Sequence, residues 1–211
     1  MNYIENIYIC LAAPLFIAVL CLRGTRRKMM IFFLTGMTAC LVSSYISTFL
    51  AMVHQVDLTT ASIEITPLIE ESMKLFPVVF YLVVMEPKRK EIVGIMLVVA
   101  VAFATFENVC YLTDTGSEHL LHLLIRGFGT GAMHVVTGMI VAMGLYYLWE
   151  RLYLRFAGMA GLLSLAVTFH AIYNLLISQG GSIARVGFVL PMLTVLVVLI
   201  LGRDLINRLA D

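Results

Sequence analysis

Six ionisable side chains stand within stretches otherwise made of apolar residues: Glu70, Glu71, Lys74, Glu107, His134 and His170. A charged group at the centre of a membrane-crossing helix costs about 2.5–3.5 kcal/mol on insertion scales, so such a set has to be held by pairing or by chemistry. Adjacent carboxylates with an ammonium one turn on, a third carboxylate and two imidazoles are the parts of a hydrolytic site. A carboxylate can deprotonate water, and neighbouring donors can meet the oxyanion that forms.

Spacing sorts these groups. In Pro67-Leu-Ile-Glu-Glu-Ser-Met-Lys74, Glu70 and Lys74 fall at i and i+4 on one helical face, with Glu71 about a quarter-turn away. Lys74 then neutralises one carboxylate and leaves the other as a general base. A buried salt bridge that only fixes packing accounts for one Glu–Lys pair; the second glutamate is left over. Glu107 lies one turn beyond Phe103 and, taken alone, also suits a helix-end residue reaching outward. Arg126 precedes His134 by eight residues and faces a substrate-binding role, while His170 and Asn174 share a face at i and i+4. Asparagine is a neutral donor suited to an oxyanion, and histidine can donate, shuttle a proton or bind a metal. No cofactor is required by this chemistry; the alternative is zinc held by His134, His170 and a glutamate, though no H-E-x-x-H helix exists. Gly127, Gly129 and Gly131 form no phosphate loop, since no Gly-Lys-Ser/Thr follows them.

The elements that must position these groups are membrane spans. Of 211 residues, 61% are apolar and 13% charged, and the mean hydropathy is +0.98, which excludes a water-soluble monomer and a large soluble catalytic domain. The formal net charge is +1, without the basic excess that nucleic-acid binding needs. Cys10, Cys21, Cys40 and Cys110 all fall in apolar runs and read as packing residues. Apolar runs over Ile4–Leu22, Met29–Val53, Ile63–Met85, Ile92–Leu112, Gly129–Trp149, Ala157–Ser178 and Val186–Leu201 predict an all-α polytopic bundle of about seven spans. One integral membrane domain covers residues 1–211, with the motif-bearing core at 63–178. The stretch from Glu118 to Phe128 fits either an interfacial helix or an extension of the fifth span.

Basic residues set the orientation. Arg23, Arg26, Arg27 and Lys28 follow the first span, Lys88, Arg89 and Lys90 the third, Arg151 and Arg155 the fifth, and Arg203 and Arg208 the last; the alternate turns contribute Arg185. The positive-inside rule then places the N-terminus outside and the C-terminus in the cytoplasm, and the basic cluster after the first apolar run is not a cleavable signal pattern. At about 1.5 Å per residue, Glu70, Glu107, His134 and His170 each lie roughly 8–12 Å in from an outer span end. Four helices thus carry polar groups to one layer. His54, His119, His122 and Glu64 read as interfacial, and Gly138 with Ala142 as a close helix contact.

Taken together, Ile69-Glu70-Glu71-Ser72-Met73-Lys74-Leu75-Phe76, Ala102-Phe103-Ala104-Thr105-Phe106-Glu107-Asn108, the Arg126 to His134 spacing and His170-Ala-Ile-Tyr-Asn174 resemble the PrsW family of intramembrane proteases. The resemblance covers about half of the chain, in order and spacing. It implies a glutamate-type protease in the cell membrane that makes the first, extracytoplasmic cut in a single-span anti-sigma factor, with membrane lipid around it. Carried over by motif, Glu70 and Glu71 are the activating carboxylates, Lys74, Glu107 and His134 orient the water, and His170 with Asn174 stands near the oxyanion. The related CAAX-prenyl endopeptidases have His where this chain has Glu107, and the PrsW pattern prefers Asp where it has Asn174. A proton-coupled transporter or channel and a catalytically silent immunity protein are the rival classes; the single polar layer and the lack of an inverted repeat speak against transport.

Overall fold

The computed structural model describes residues 4–115, 120–149 and 152–201, and every element among them is helical. In chain order these are α1 (Ile4–Cys21), α2 (Gly24–His54), α3 (Leu58–Glu64), α4 (Thr66–Met85), α5 (Arg89–Thr115), α6 (Leu120–Leu148), α7 (Leu152–Ser178) and α8 (Gly181–Leu201). Arg151, Arg203, Arg208, His119 and Glu118 lie outside the described residues.

Six of these helices, all but α3 and α4, contain a stretch long and apolar enough to cross a membrane. The third expected span, Ile63–Met85, is instead divided between two helices. Asp57 caps α3 by accepting from the backbone N–H of Thr59 and Thr60 at 2.9 and 3.1 Å, and a break at Ile65 with Pro67 in the first turn starts α4. α4 has 20 residues, but Glu70, Glu71 and Lys74 make it too polar to count by composition. It nevertheless runs between the same two ends as its neighbours. Near its C-terminus the Tyr81 hydroxyl donates to Glu91 Oε2 at 3.1 Å, and Lys28 pairs with the same oxygen at 2.6 Å. At the opposite end of the bundle Asn174 Nδ2 donates to the Ser62 carbonyl at 2.8 Å. The stretch before Gly129 is an extension of α6, not a separate interfacial helix.

α5 is the axis. Ile95, Met96, Val99, Ala100, Ala102, Phe103 and Phe106 are fully buried, with α2 on one side and α6 on the other. Lipid is as apolar as leucine, so helices here gain by close fit more than by leaving a solvent. Small residues supply that fit. A Cβ on Gly36 of α2 would meet the Val99 carbonyl oxygen at 2.5 Å and Ala102 Cβ at 2.8 Å, and one on Gly138 of α6 would meet Ala100 Cβ at 2.9 Å. The contact expected at Gly138 and Ala142 is therefore made with α5. Around Gly131 nothing lies within 4 Å.

Gly36→Ala is expected to lower stability by about 1–3 kcal/mol, the cost of overpacking a helix seam, and Gly131→Ala to leave it unchanged or raised. Thermal denaturation of the two variants in the same detergent measures the difference.

Candidate active site

Four helices converge on one polar layer: α4 brings Glu70, Glu71 and Lys74, α5 brings Glu107, α6 brings Arg126 and His134, and α7 brings His170 and Asn174. The helical period leaves these positions facing inward, and the seams at Gly36 and Gly138 draw α2 and α6 against the central α5.

Lys74 is fully buried. Its Nζ donates to Glu71 Oε1 at 2.6 Å, to His134 Nδ1 at 2.9 Å and to Thr137 Oγ1 at 3.3 Å, and stands 5.1 Å from the Phe103 ring centroid. All three ammonium hydrogens are thereby used. The pairing is with Glu71 at i,i+3 and not with Glu70 at i,i+4. Both spacings bring side chains together on a helix, and His134 and Thr137 of α6 decide the matter by holding the ammonium on the Glu71 side.

An ammonium paired with a carboxylate has no lone pair, so His134 Nδ1 accepts from it. The proton of the neutral ring then sits on Nε2, which lies 2.5 Å from Glu107 Oε2. The other oxygen of Glu107 is 3.5 Å from Arg126 Nη2, while Arg126 Nη1 donates to Asn108 Oδ1 at 2.6 Å. The guanidinium carbon lies 3.5 Å over the Tyr111 ring. His170 is arranged the opposite way. Its Nδ1 donates to Glu71 Oε1 at 2.8 Å, and its Nε2 faces Glu70 Oε2 at 3.8 Å. Glu70 Oε2 is buried and has no hydrogen-bond partner; Glu71 Oε2 shares that condition.

A cavity of about 970 Å³ reaches this layer. Glu70, Glu107, Arg126, His170, Asn174 and Ser62 line it, whereas Glu71, Lys74 and His134 stand behind its wall. The eight residues singled out in the sequence are thus brought together, in two ranks. Arg126, expected to bind substrate, lines the cavity with its donors turned to Asn108 and Glu107. Asn174 commits one amide hydrogen to Ser62 and keeps the other. His122, placed at the interface by sequence, also lines the cavity. Tyr173, whose hydroxyl lies 2.8 Å from Thr130 Oγ1, and Ser62 were not anticipated; Tyr173 sits inside the His170-Ala-Ile-Tyr-Asn174 motif, whereas nothing in the sequence marks Ser62.

Glu70, His134 and His170 present one oxygen and two nitrogens within 4.8 Å of one another, a donor set of the kind that holds zinc. Hydrogen bonding decides whether it fits. Both nitrogens of His134 are engaged, by Lys74 and by Glu107, which leaves Glu70 and His170 as two ligands where zinc sites draw at least three from the protein. The set as bonded does not fit the ion.

Lys74→Met leaves Glu71 as an unpaired buried charge and is expected to cost about 3–5 kcal/mol. Adding Glu71→Gln should recover most of that loss. Melting temperatures of the single and double variants test it.

In comparisons with known proteins, residues 24–201 match the family described as PrsW family intramembrane metalloprotease. No curated protein and no solved structure gives a match. The match spans most of the chain and contains every residue of the polar layer, on a bundle with six helices, among the described residues, long and apolar enough to cross a membrane. This multi-pass membrane protein belongs to the PrsW family of intramembrane proteases.

Proposed function

We propose that this chain hydrolyses a peptide bond in a single-span membrane protein, an anti-sigma factor or one like it, near the extracytoplasmic face, with Glu70 as the general base. The orientation follows from charge. Arg26, Arg27 and Lys28 open α2, and the Lys28–Glu91 pair lies at the end of the bundle remote from Ser62 and Asn174. Basic residues favour the cytoplasm, so the end that carries the cavity faces outward, with the N-terminus out and the C-terminus in. On this reading α4 completes seven crossings.

One observation carries the choice of base. Among the described residues, Glu70 is the carboxylate that both lines the cavity and has a buried oxygen without a hydrogen-bond partner. Glu71 is spent on Lys74 and His170. A water between Glu70 Oε2 and His170 Nε2 gives a hydrogen to each acceptor, which turns its lone pairs toward the cavity. Glu70 takes a proton as the water oxygen bonds to the scissile carbonyl carbon. The free amide hydrogen of Asn174 meets the oxyanion. Glu70 then returns the proton to the departing nitrogen as the C–N bond breaks, and the carboxylate is restored. His170 has its proton on Nδ1, toward Glu71, so it enters as an acceptor and not as the oxyanion donor that sequence alone suggested. Glu107 shapes the wall beside the base, held by His134 and Arg126.

Cleavage of a panel of single-span membrane proteins, anti-sigma factors included, in proteoliposomes with the purified chain tests this reading. Glu70→Gln is expected to lower the rate about 10²–10⁴-fold, and Asn174→Ala about 10²-fold, mainly in kcat. Chelation should leave the wild-type rate unchanged. Inhibition by a chelator with recovery on adding zinc would overturn the side-chain mechanism, and proton flux without cleavage of any substrate would replace it with transport.

A further inference from the structure

Glu70 and Glu107 border a second cavity, of about 200 Å³, on the side away from α7 and α8. Its walls come from α1, α2, α4 and α5, and they include Ser44, Ser47, Thr48 and Thr66. Ser44 and Thr48 are exposed at its rim, Ser47 is buried along the way, and the two glutamates form its floor.

Ser47 sets this chamber apart from the rest of the bundle. A hydroxyl within a membrane helix ordinarily satisfies itself by bonding back to a carbonyl three or four residues earlier. Thr35, Ser43, Thr105, Ser164, Thr168 and Thr194 do so here. Ser47 Oγ is buried with no hydrogen-bond partner, as is Glu70 Oε2, and both residues line this same chamber. Two unpaired buried polar atoms in one cavity that is also lined by Glu107 and three further hydroxyls are the signature of bound water. At roughly 30 Å³ per molecule the volume holds about half a dozen waters.

We propose that this chamber is a water site that supplies the reaction from behind the base, with Ser47 as its positioning residue. The inference rests on the reading of Glu70 as general base. A substrate segment that fills the large cavity displaces water from that side, yet each turnover consumes one water. The chamber delivers it to Glu70 from the α2 side while substrate stays in place. The water oxygen goes to the new carboxyl group, one hydrogen passes through Glu70 to the leaving amine, and the next water moves down from the rim past Ser47.

Hydroxyl-radical footprinting of the full chain in phosphatidylglycerol-containing nanodiscs reads hydration without reference to activity. Phe106 lines the chamber although it is 0% exposed; it should be labelled well above Phe103, an equally buried phenylalanine of the same helix that does not line the chamber. Ser47→Val should cut that labelling severalfold and lower kcat about tenfold with KM within twofold, while Ser47→Thr keeps both near wild type. Wild-type labelling of Phe106 no higher than that of Phe103 shows a dry chamber and overturns the proposal. Reduced labelling in Ser47→Val with kcat unchanged overturns its role in supply. Failure of the underlying reading looks different: Glu70→Gln then still cleaves, with the labelling intact.

Discussion

One buried ammonium constrains everything around it. Lys74 sits at full burial in a helix that lies among membrane spans, and an ammonium in such surroundings persists only with all its hydrogens given to acceptors. Glu71, His134 and Thr137 are those acceptors. Each consequence follows from the one before. Glu71 is held as the counter-charge, its Oε1 also holds His170 through Nδ1, and His134 is left with its proton on the side of Glu107. The neighbour of Glu71, Glu70, is the carboxylate that this network does not consume.

Much of this was legible in sequence because cost was legible. Charged residues in apolar runs stand out against an insertion penalty of a few kcal/mol each, and a rise of 1.5 Å per residue was enough to put Glu70, Glu107, His134 and His170 in one layer. The partner of Lys74 was not legible. Positions i+3 and i+4 are both neighbours on a helix, and the choice is made by His134 and Thr137, sixty residues away in the chain. The division of Ile63–Met85 into two helices also escaped periodicity, although Asp57 and Pro67 carry the local signals for it. The polarity that keeps α4 from passing as a span by composition is the same polarity that furnishes the site.

On the proposed mechanism, the two ranks of the layer divide the work of a hydrolase in a bilayer. Glu71, Lys74 and His134, behind the cavity wall, fix geometry at the expense of burying charge, and a preorganised arrangement of this sort is what a transition state rewards. Glu70, His170 and Asn174, at the wall, retain an unpaired oxygen, a bare nitrogen and a spare amide hydrogen. The bonds that give His134 to Lys74 and Glu107 also bear on how the family's description as metalloproteases applies to this chain, since as bonded they leave Glu70 and His170 as the free donors of the Glu70, His134 and His170 group.

The tautomer of His134 tests that account most directly. In protein labelled with ¹⁵N-histidine, with His134→Gln used to assign its signals, nitrogen chemical shifts distinguish a proton on Nδ1 from one on Nε2. The account predicts His134 protonated on Nε2, unchanged when zinc is added, and released from that state in Lys74→Met. A proton on Nδ1, or a shift of Nε2 on adding zinc, would contradict it.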